Sequence, residues 1–152
     1  LEYGCGGSTL FFLDKGCDVT SVEHSRKWRE RVKDKLKTGQ SERWKAHLIE
    51  KGDISTSDNM KSKEGEYAQA PLDEDSPTTF DVILIDGYAR ETCLELHLEA
   101  GNFNKYIIYD NSDRLLSDNL KKRLFGMKTT TFAGPTRYSM PFTETMVIER
   151  KD

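Results

Sequence analysis

At 152 residues and 17.4 kDa the chain has room for one domain, which excludes two of ordinary size. Charged residues reach 32%, yet aromatics make up 10%, too many for a low-aromatic disordered chain. Lys plus Arg number 23 against 26 Asp plus Glu, so no field of one sign exists to hold a polyanion, and no apolar run approaches the roughly 20 residues that span a bilayer. Neither nucleic acid nor a membrane is therefore expected as a partner. Cys5, Cys17 and Cys93 stand at unrelated spacings and read as buried small apolar side chains in a reducing compartment, which places the protein in the cytoplasm.

In chain order, Leu1, Glu2 and Tyr3 read as the end of a core strand, so a preceding segment of a slightly larger domain is expected. Residues 8–15 predict a short helix with Ser8 as N-cap and Gly16 past its end. The β-branched run at 18–23 predicts a second strand. Ser25 then caps a helix expected to run to about Lys37, with Trp28, Val32 and Leu36 on one face. A third strand is expected at 46–50. Residues 51–79 are dominated by Gly, Ser, Asp and Lys and predict an irregular insertion, either functional or a surface excursion. The run at 80–86 is the clearest strand, with a continuous apolar centre from Val82 to Ile85. A helix over 88–99, a strand over 106–110, a helix over 115–125 and two closing strands at 127–132 and 143–150 complete the pattern. This alternation predicts one α/β domain over residues 1–152. Its doubly wound, mainly parallel sheet has about seven strands, an antiparallel C-terminal strand pair, and helices on both faces.

In such sheets ligands bind beyond the carboxyl ends of the strands, where strand order reverses. The five inner strand ends deliver Glu2, Glu23, Asp53, Asp86 and Asp110, a carboxylate each. The first end also carries Gly4 and Gly6, which allow a tight turn and close approach of a ligand to the main chain, followed by a helix N-terminus. Glu23 lies 21 residues beyond Glu2 and suits the two ribose hydroxyls of an adenosine. A dinucleotide fingerprint would require glycine at position 9, where the chain has Thr9, and Glu2 would repel a pyrophosphate. A ligand bearing an ammonium and a sulfonium suits Glu2 better.

The run Glu2-Tyr3-Gly4-Cys5-Gly6-Gly7-Ser8 resembles the first motif of class I S-adenosylmethionine-dependent methyltransferases, an acid followed by Gly-x-Gly-x-Gly, with Ser8 where glycine is usual. Val22-Glu23 is similar to their second motif, Gly52-Asp53-Ile54 to their third, and the run from Phe80 to Gly87 to their fourth. The resemblance implies a cofactor shell of Glu2, Gly4, Gly6, Ser8, Glu23, Asp53 and Asp86, with Asp53 at the adenine amino group. It also implies a small-molecule hydroxyl or amine as methyl acceptor, and is compatible with a homodimer. A nicotinamide-dependent oxidoreductase and a non-catalytic binding module on a similar sheet are the alternatives.

Asp86 with Asp110 and Asn111 also resembles the metal site of cation-dependent O-methyltransferases, which implies Mg²⁺ held by these three residues. Asx residues that merely turn the chain at strand ends are the competing reading. Those enzymes carry a lysine base three residues after the strand-four Asp, whereas position 89 here is Ala, and Arg90 cannot act as a base because a guanidinium keeps its proton. Asp86, Asp113, Tyr88 or a residue upstream of Leu1 must then supply any base, and Asp86 and Asp113 are the catalytic candidates. His24 flanks either the adenine or solvent; His47 and His97 suit packing, and Trp28 and Trp44 suit buried anchors. Arg114 suits a substrate carboxylate or a plain intrachain ion pair, and Arg137 and Tyr138 could border the same cleft.

Overall fold

The computed structural model describes residues 1–52, 54–73, 77–114, 116–135 and 142–150. Among them, seven strands form one sheet: β1 (Glu2–Tyr3), β2 (Val19–Glu23), β3 (Trp44–Leu48), β4 (Phe80–Ile85), β5 (Phe103–Asp110), β6 (Lys128–Pro135) and β7 (Phe142–Glu149). Their order is β3-β2-β1-β4-β5-β7-β6. The first five run parallel, and β7 enters antiparallel between β5 and β6. The expected mainly parallel sheet with an antiparallel closing pair is what forms. Strand order reverses at β1, whose Glu2 pairs with Ser21 of β2 on one side and Leu84 of β4 on the other. The chain therefore places its ligand crevice at the carboxyl end of β1.

Five α-helices among the described residues cover both faces of the sheet: α1 (Gly7–Asp14), α2 (Arg26–Lys33), α3 (Ser57–Gln69), α4 (Arg90–Ala100) and α5 (Asp118–Leu124). α1 packs on α2, while α4 packs between α3 and α5. The core lies mainly under the second group, where Tyr67 of α3, Cys93 and Leu94 of α4 and Leu120 of α5 meet Tyr3, Ile83, Ile85, Ile107 and Ile148 of the sheet. Each fully buried Ile or Leu there contributes about 1.5–3 kcal/mol relative to exposure. No helix among the described residues is long and apolar enough to cross a membrane.

Several expected elements shift. The insertion expected at 51–79 instead contains the 13-residue helix α3, so the β3-to-β4 connection is an ordinary helical crossover. Its N-cap Thr56 accepts from Asn59 N at 3.2 Å, and only Tyr67 and Ala68 are buried. A helix with so little apolar surface leaves no periodic signal. Ser8 is not an N-cap: Gly6 holds that position, and Ser8 stands inside the first turn. Ser25 does cap α2, accepting from Trp28 N at 3.3 Å, but the helix ends at Lys33, four residues short. β3 begins two residues early, at Trp44, and β5 three early, at Phe103. Cys5 and Cys93 are buried as expected, while Cys17 is exposed.

Candidate active site

The glycine turn after β1 is held from beneath by side chains. Gly4 has φ +90°, and a Cβ on it would lie 3.0 Å from Gly87 Cα, so only glycine fits this crossing of β1 and β4. Gly6 N donates to Thr9 Oγ1 at 2.8 Å, and Thr9 Oγ1 in turn donates to Glu2 Oε1. Ser8 Oγ donates to Glu2 Oε2 at 2.8 Å, and Ser21 Oγ to Glu2 Oε1 at 2.6 Å. Glu2 is fully buried, and burial pushes its carboxyl above the usual range despite the hydroxyls of Ser21, Thr9 and Ser8 that favour its charge. Glu2, expected to meet a ligand, lines neither of the two clefts at this end of the sheet; three hydroxyls hold its oxygens, and it anchors the turn from the protein side.

Glu23 is the carboxylate that reaches the crevice. Oε2 accepts from Cys5 N at 3.0 Å, and Oε1 accepts from His24 N and Ser25 N at 2.8 and 2.7 Å. The side chain therefore ties the glycine turn to the start of α2. Three backbone amides take three of its four acceptor positions, leaving one on Oε2. Burial and the adjacent Glu23 push the Cys5 thiol up, so it is no nucleophile.

Two clefts meet at this end of the sheet. The first, about 610 Å³, is lined by the turn from Gly4 to Ser8, by Glu23 and Trp28, and by Asp86 and Arg90. Trp28 was expected to be a buried anchor, but it is 45% exposed, and its Nε1 would lie 3.4 Å from a Cβ on Gly6, so the indole walls the cleft. Trp44, half-buried, donates from Nε1 to Ser21 Oγ at 2.8 Å. The second cleft, about 790 Å³, is bordered by Lys51, Glu64, Tyr88, Glu91 and Arg114. His24, Gly87 and Arg90 line both. Both volumes lie in the range of small-molecule sites. His24, Tyr67 and Tyr88 pack ring to ring at 5.5 to 6.4 Å, and Lys51 Nζ stands 4.5 Å from the Tyr88 ring centroid. Burial holds the His24 imidazole below its usual range, so it is neutral near pH 7. The Tyr88 hydroxyl is buried with no hydrogen-bond partner among the described residues, and burial followed by Glu64 pushes its pKa up. Tyr88 is therefore a hydroxyl donor and no base.

The residues expected to hold Mg²⁺ sit around one guanidinium. Arg90 Nη2 donates to Asp86 Oδ1 at 2.9 Å and to Asp86 O at 3.0 Å. Its Nη1 donates to Asp110 O at 3.0 Å and to Asn111 Oδ1. Asp110 Oδ1 accepts from Thr145 Oγ1 at 2.7 Å, and Asn111 Nδ2 donates to Thr143 Oγ1 at 2.6 Å. A cation held at the 2.0–2.1 Å that Mg²⁺ demands would collide with the guanidinium and be repelled by it. The three residues do come together, but they do not fit the metal, and the expectation of a Mg²⁺ site is corrected. No other grouping of three or more His, Cys, Asp or Glu among the described residues is arranged for a metal.

Asp113 is likewise displaced from the chemistry. Its Oδ1 accepts from Thr143 Oγ1 at 3.0 Å and from Glu144 N at 3.2 Å, which holds its carboxyl below the usual range. It is exposed, lines neither cleft, and fastens the β5 turn to β7. Asp86 remains in the crevice. Burial, then the hydrogen bond and like charge of Asp110, push it up to about 6, against the opposing pull of Arg90. Asp53, Arg137 and Tyr138 lie outside the described residues. Sequence reasoning missed Trp28 as a cleft wall and Arg90 as the hub. The spacing of four between Asp86 and Arg90 at a helix start is the signal that could have found the hub.

No family model matches the chain, and no curated protein does. Solved structures do. A methyltransferase-like protein from Silicibacter pomeroyi DSS-3 is 21% identical over 97% of this chain and 76% of its own, with a TM-score of 0.49. The methyltransferase domain of bacterial CtHen1-CN is 15% identical over 98% of this chain and 88% of its own, with a TM-score of 0.53. The seven-stranded sheet with its reversed closing strand is thus a fold that this chain shares with the CtHen1-CN methyltransferase domain.

Proposed function

We propose that the protein binds S-adenosylmethionine in the Glu23 cleft and transfers its methyl group to a small-molecule hydroxyl or amine seated in the adjoining Tyr88 cleft. The observation that carries this reading is the way Glu23 is built into the glycine turn through Cys5 N, with one acceptor position left over. That position suits a ribose hydroxyl. The Gly6 amide that a pyrophosphate would need is already engaged by Thr9, which favours a cationic nucleoside over a nicotinamide dinucleotide.

When bound, S-adenosylmethionine supplies a methyl group on a sulfonium, open to in-line attack. The chain's own residues hold and orient. Glu23 takes a ribose hydroxyl, the Gly4 to Ser8 turn admits close approach of the ligand, and Asp53 belongs to the proposed shell at the adenine. Where the two clefts adjoin, the Tyr88 hydroxyl orients the acceptor, and Asp86, on the cofactor side of that junction, takes the proton that the acceptor releases. Holding acceptor and sulfonium in line at that junction supplies much of the rate.

Thermal unfolding with S-adenosylhomocysteine, NAD and NADP tests the cofactor. A ligand at a hundred times its Kd stabilises by about 2.7 kcal/mol. S-adenosylhomocysteine alone should raise the midpoint; a rise with NAD or NADP instead would overturn the reading. Methyl transfer to a panel of phenols and amines then separates an enzyme from a binding module.

A further inference from the structure

Arginine carries five N–H donors in a rigid fork. Every one of them in Arg90 has an acceptor: Gly87 O for Nε at 3.1 Å, Asp86 O and Oδ1 for Nη2, and Asp110 O and Asn111 Oδ1 for Nη1. Asp110 Oδ2 lies a further step away, 4.0 Å from Nη1. The side chain is mostly enclosed, at 17% exposure. Its direction is set by the backbone. Ala89 stands in the left-handed region at φ +52° as the N-cap of α4, and this turn sends the first helical side chain back over the ends of β4 and β5.

We propose that Arg90 is the protein's own fixed cation at the ends of β4 and β5. It takes the place and the oxygen set that a divalent ion would need, and so makes the site independent of metal. The charge arithmetic supports this. Asp86 and Asp110 set two carboxyl groups side by side, and a positive charge among them offsets their repulsion. A guanidinium does this permanently, since it neither loses its proton at any relevant pH nor exchanges with solvent. Arg90 is thus a positioning residue: it fixes Oδ1 of Asp86 and engages no substrate, having no donor left to offer. The corollary is a latent site. Without the guanidinium, Asp86, Asp110 and Asn111 present hard oxygen ligands to one point and would take a divalent cation. The proposal concerns cation binding alone and stands apart from the identity of the cofactor.

Titration of Mn²⁺ into the full chain, followed by the loss of its free-ion electron paramagnetic resonance signal, tests it. The wild type should leave the Mn²⁺ signal intact. Arg90→Ala, and Arg90→Gln as a second variant that preserves more of the packing, should bind one Mn²⁺ at least about a hundredfold more tightly than the wild type, because a positive charge a few ångströms from the ion has gone. Adding Asp110→Asn to either variant should return the affinity to the wild-type level. Circular dichroism establishes that each variant is folded. The proposal is overturned if a folded Arg90 variant gains no Mn²⁺ affinity, or if the gain survives Asp110→Asn. Wild-type protein provides a test that needs no Arg90 variant to fold: its unfolding midpoint should be the same in Mg²⁺ and in chelator, and a rise with Mg²⁺ that Asp110→Asn abolishes would equally overturn it.

Discussion

Gly4 and Gly87 touch backbone to backbone: a Cβ on Gly4 would stand 3.0 Å from Gly87 Cα, and one on Gly87 would stand 2.7 Å from Gly4 N. The two residues end β1 and β4, so the crevice exists because neither strand end carries a side chain. Gly87→Ala should cost about 1–3 kcal/mol through this overlap, read from the midpoint of chemical denaturation. An unchanged midpoint would mean that the two strand ends can part freely.

Glu2 and Glu23 separate into anchor and ligand-facing group. Glu2→Ala would strand Ser8, Thr9 and Ser21 without their common acceptor, at about 1–3 kcal/mol for each buried hydroxyl left unpaired. Calorimetric titration with S-adenosylhomocysteine should nevertheless show a smaller affinity loss for Glu2→Gln than for Glu23→Gln. Because burial raises the Glu2 pKa, the folded state holds its proton more tightly than the unfolded chain. The contribution of Glu2 is therefore fullest below the ordinary carboxyl range and declines as pH rises above it. The stability gap between wild type and Glu2→Gln should narrow on going from acid to neutral pH.

Asp86 should titrate near its raised value of about 6, visible as a shifted carboxyl resonance by carbon NMR. If it accepts the proton released on methyl transfer, turnover rises as pH climbs through that value, and Asp86→Asn removes the rise. Half of this side chain faces solvent, so its effect on stability is small, with the sign of a raised acid: stabilising at low pH and lost towards pH 6.

Beneath the crevice, the Tyr3 hydroxyl donates to Ala68 O at 2.5 Å and lies 2.8 Å from His97 Nε2, whose Nδ1 lies 2.6 Å from Asn102 Oδ1. Tyr3→Phe leaves a buried carbonyl and imidazole short of a partner and should cost about 1–3 kcal/mol. Burial lowers the His97 pKa, so this group stabilises above the ordinary histidine value and the benefit is lost as pH falls below it. The unfolding midpoint of the wild type should therefore drop more between pH 7 and 5 than that of His97→Gln.

The strand run from Phe80 to Ile85 and the closing pair were legible because apolar runs and turn residues bound them, and with them came the mainly parallel sheet and its antiparallel edge. α3 was not, since Tyr67 and Ala68 are its only buried residues among those described, too few to leave an apolar periodicity. The glycine turn and Glu23 were legible as types at a spacing. The inward direction of Glu2 was not, because it depends on three hydroxyls from two other elements meeting at one carboxylate. The same holds for Asp110 and Asn111. Residue types named a metal set correctly as oxygens, but the neighbour that occupies them arrives from a helix start whose left-handed turn at Ala89 no propensity scale suggests.

His24, Gly87 and Arg90 are common to both clefts, so the two share one partition. His24 packs against Tyr88 on one side and borders Glu23 on the other, so any molecule that reorients its ring in one chamber reshapes the other. Whatever factor the first occupant exerts on the second must act equally in reverse.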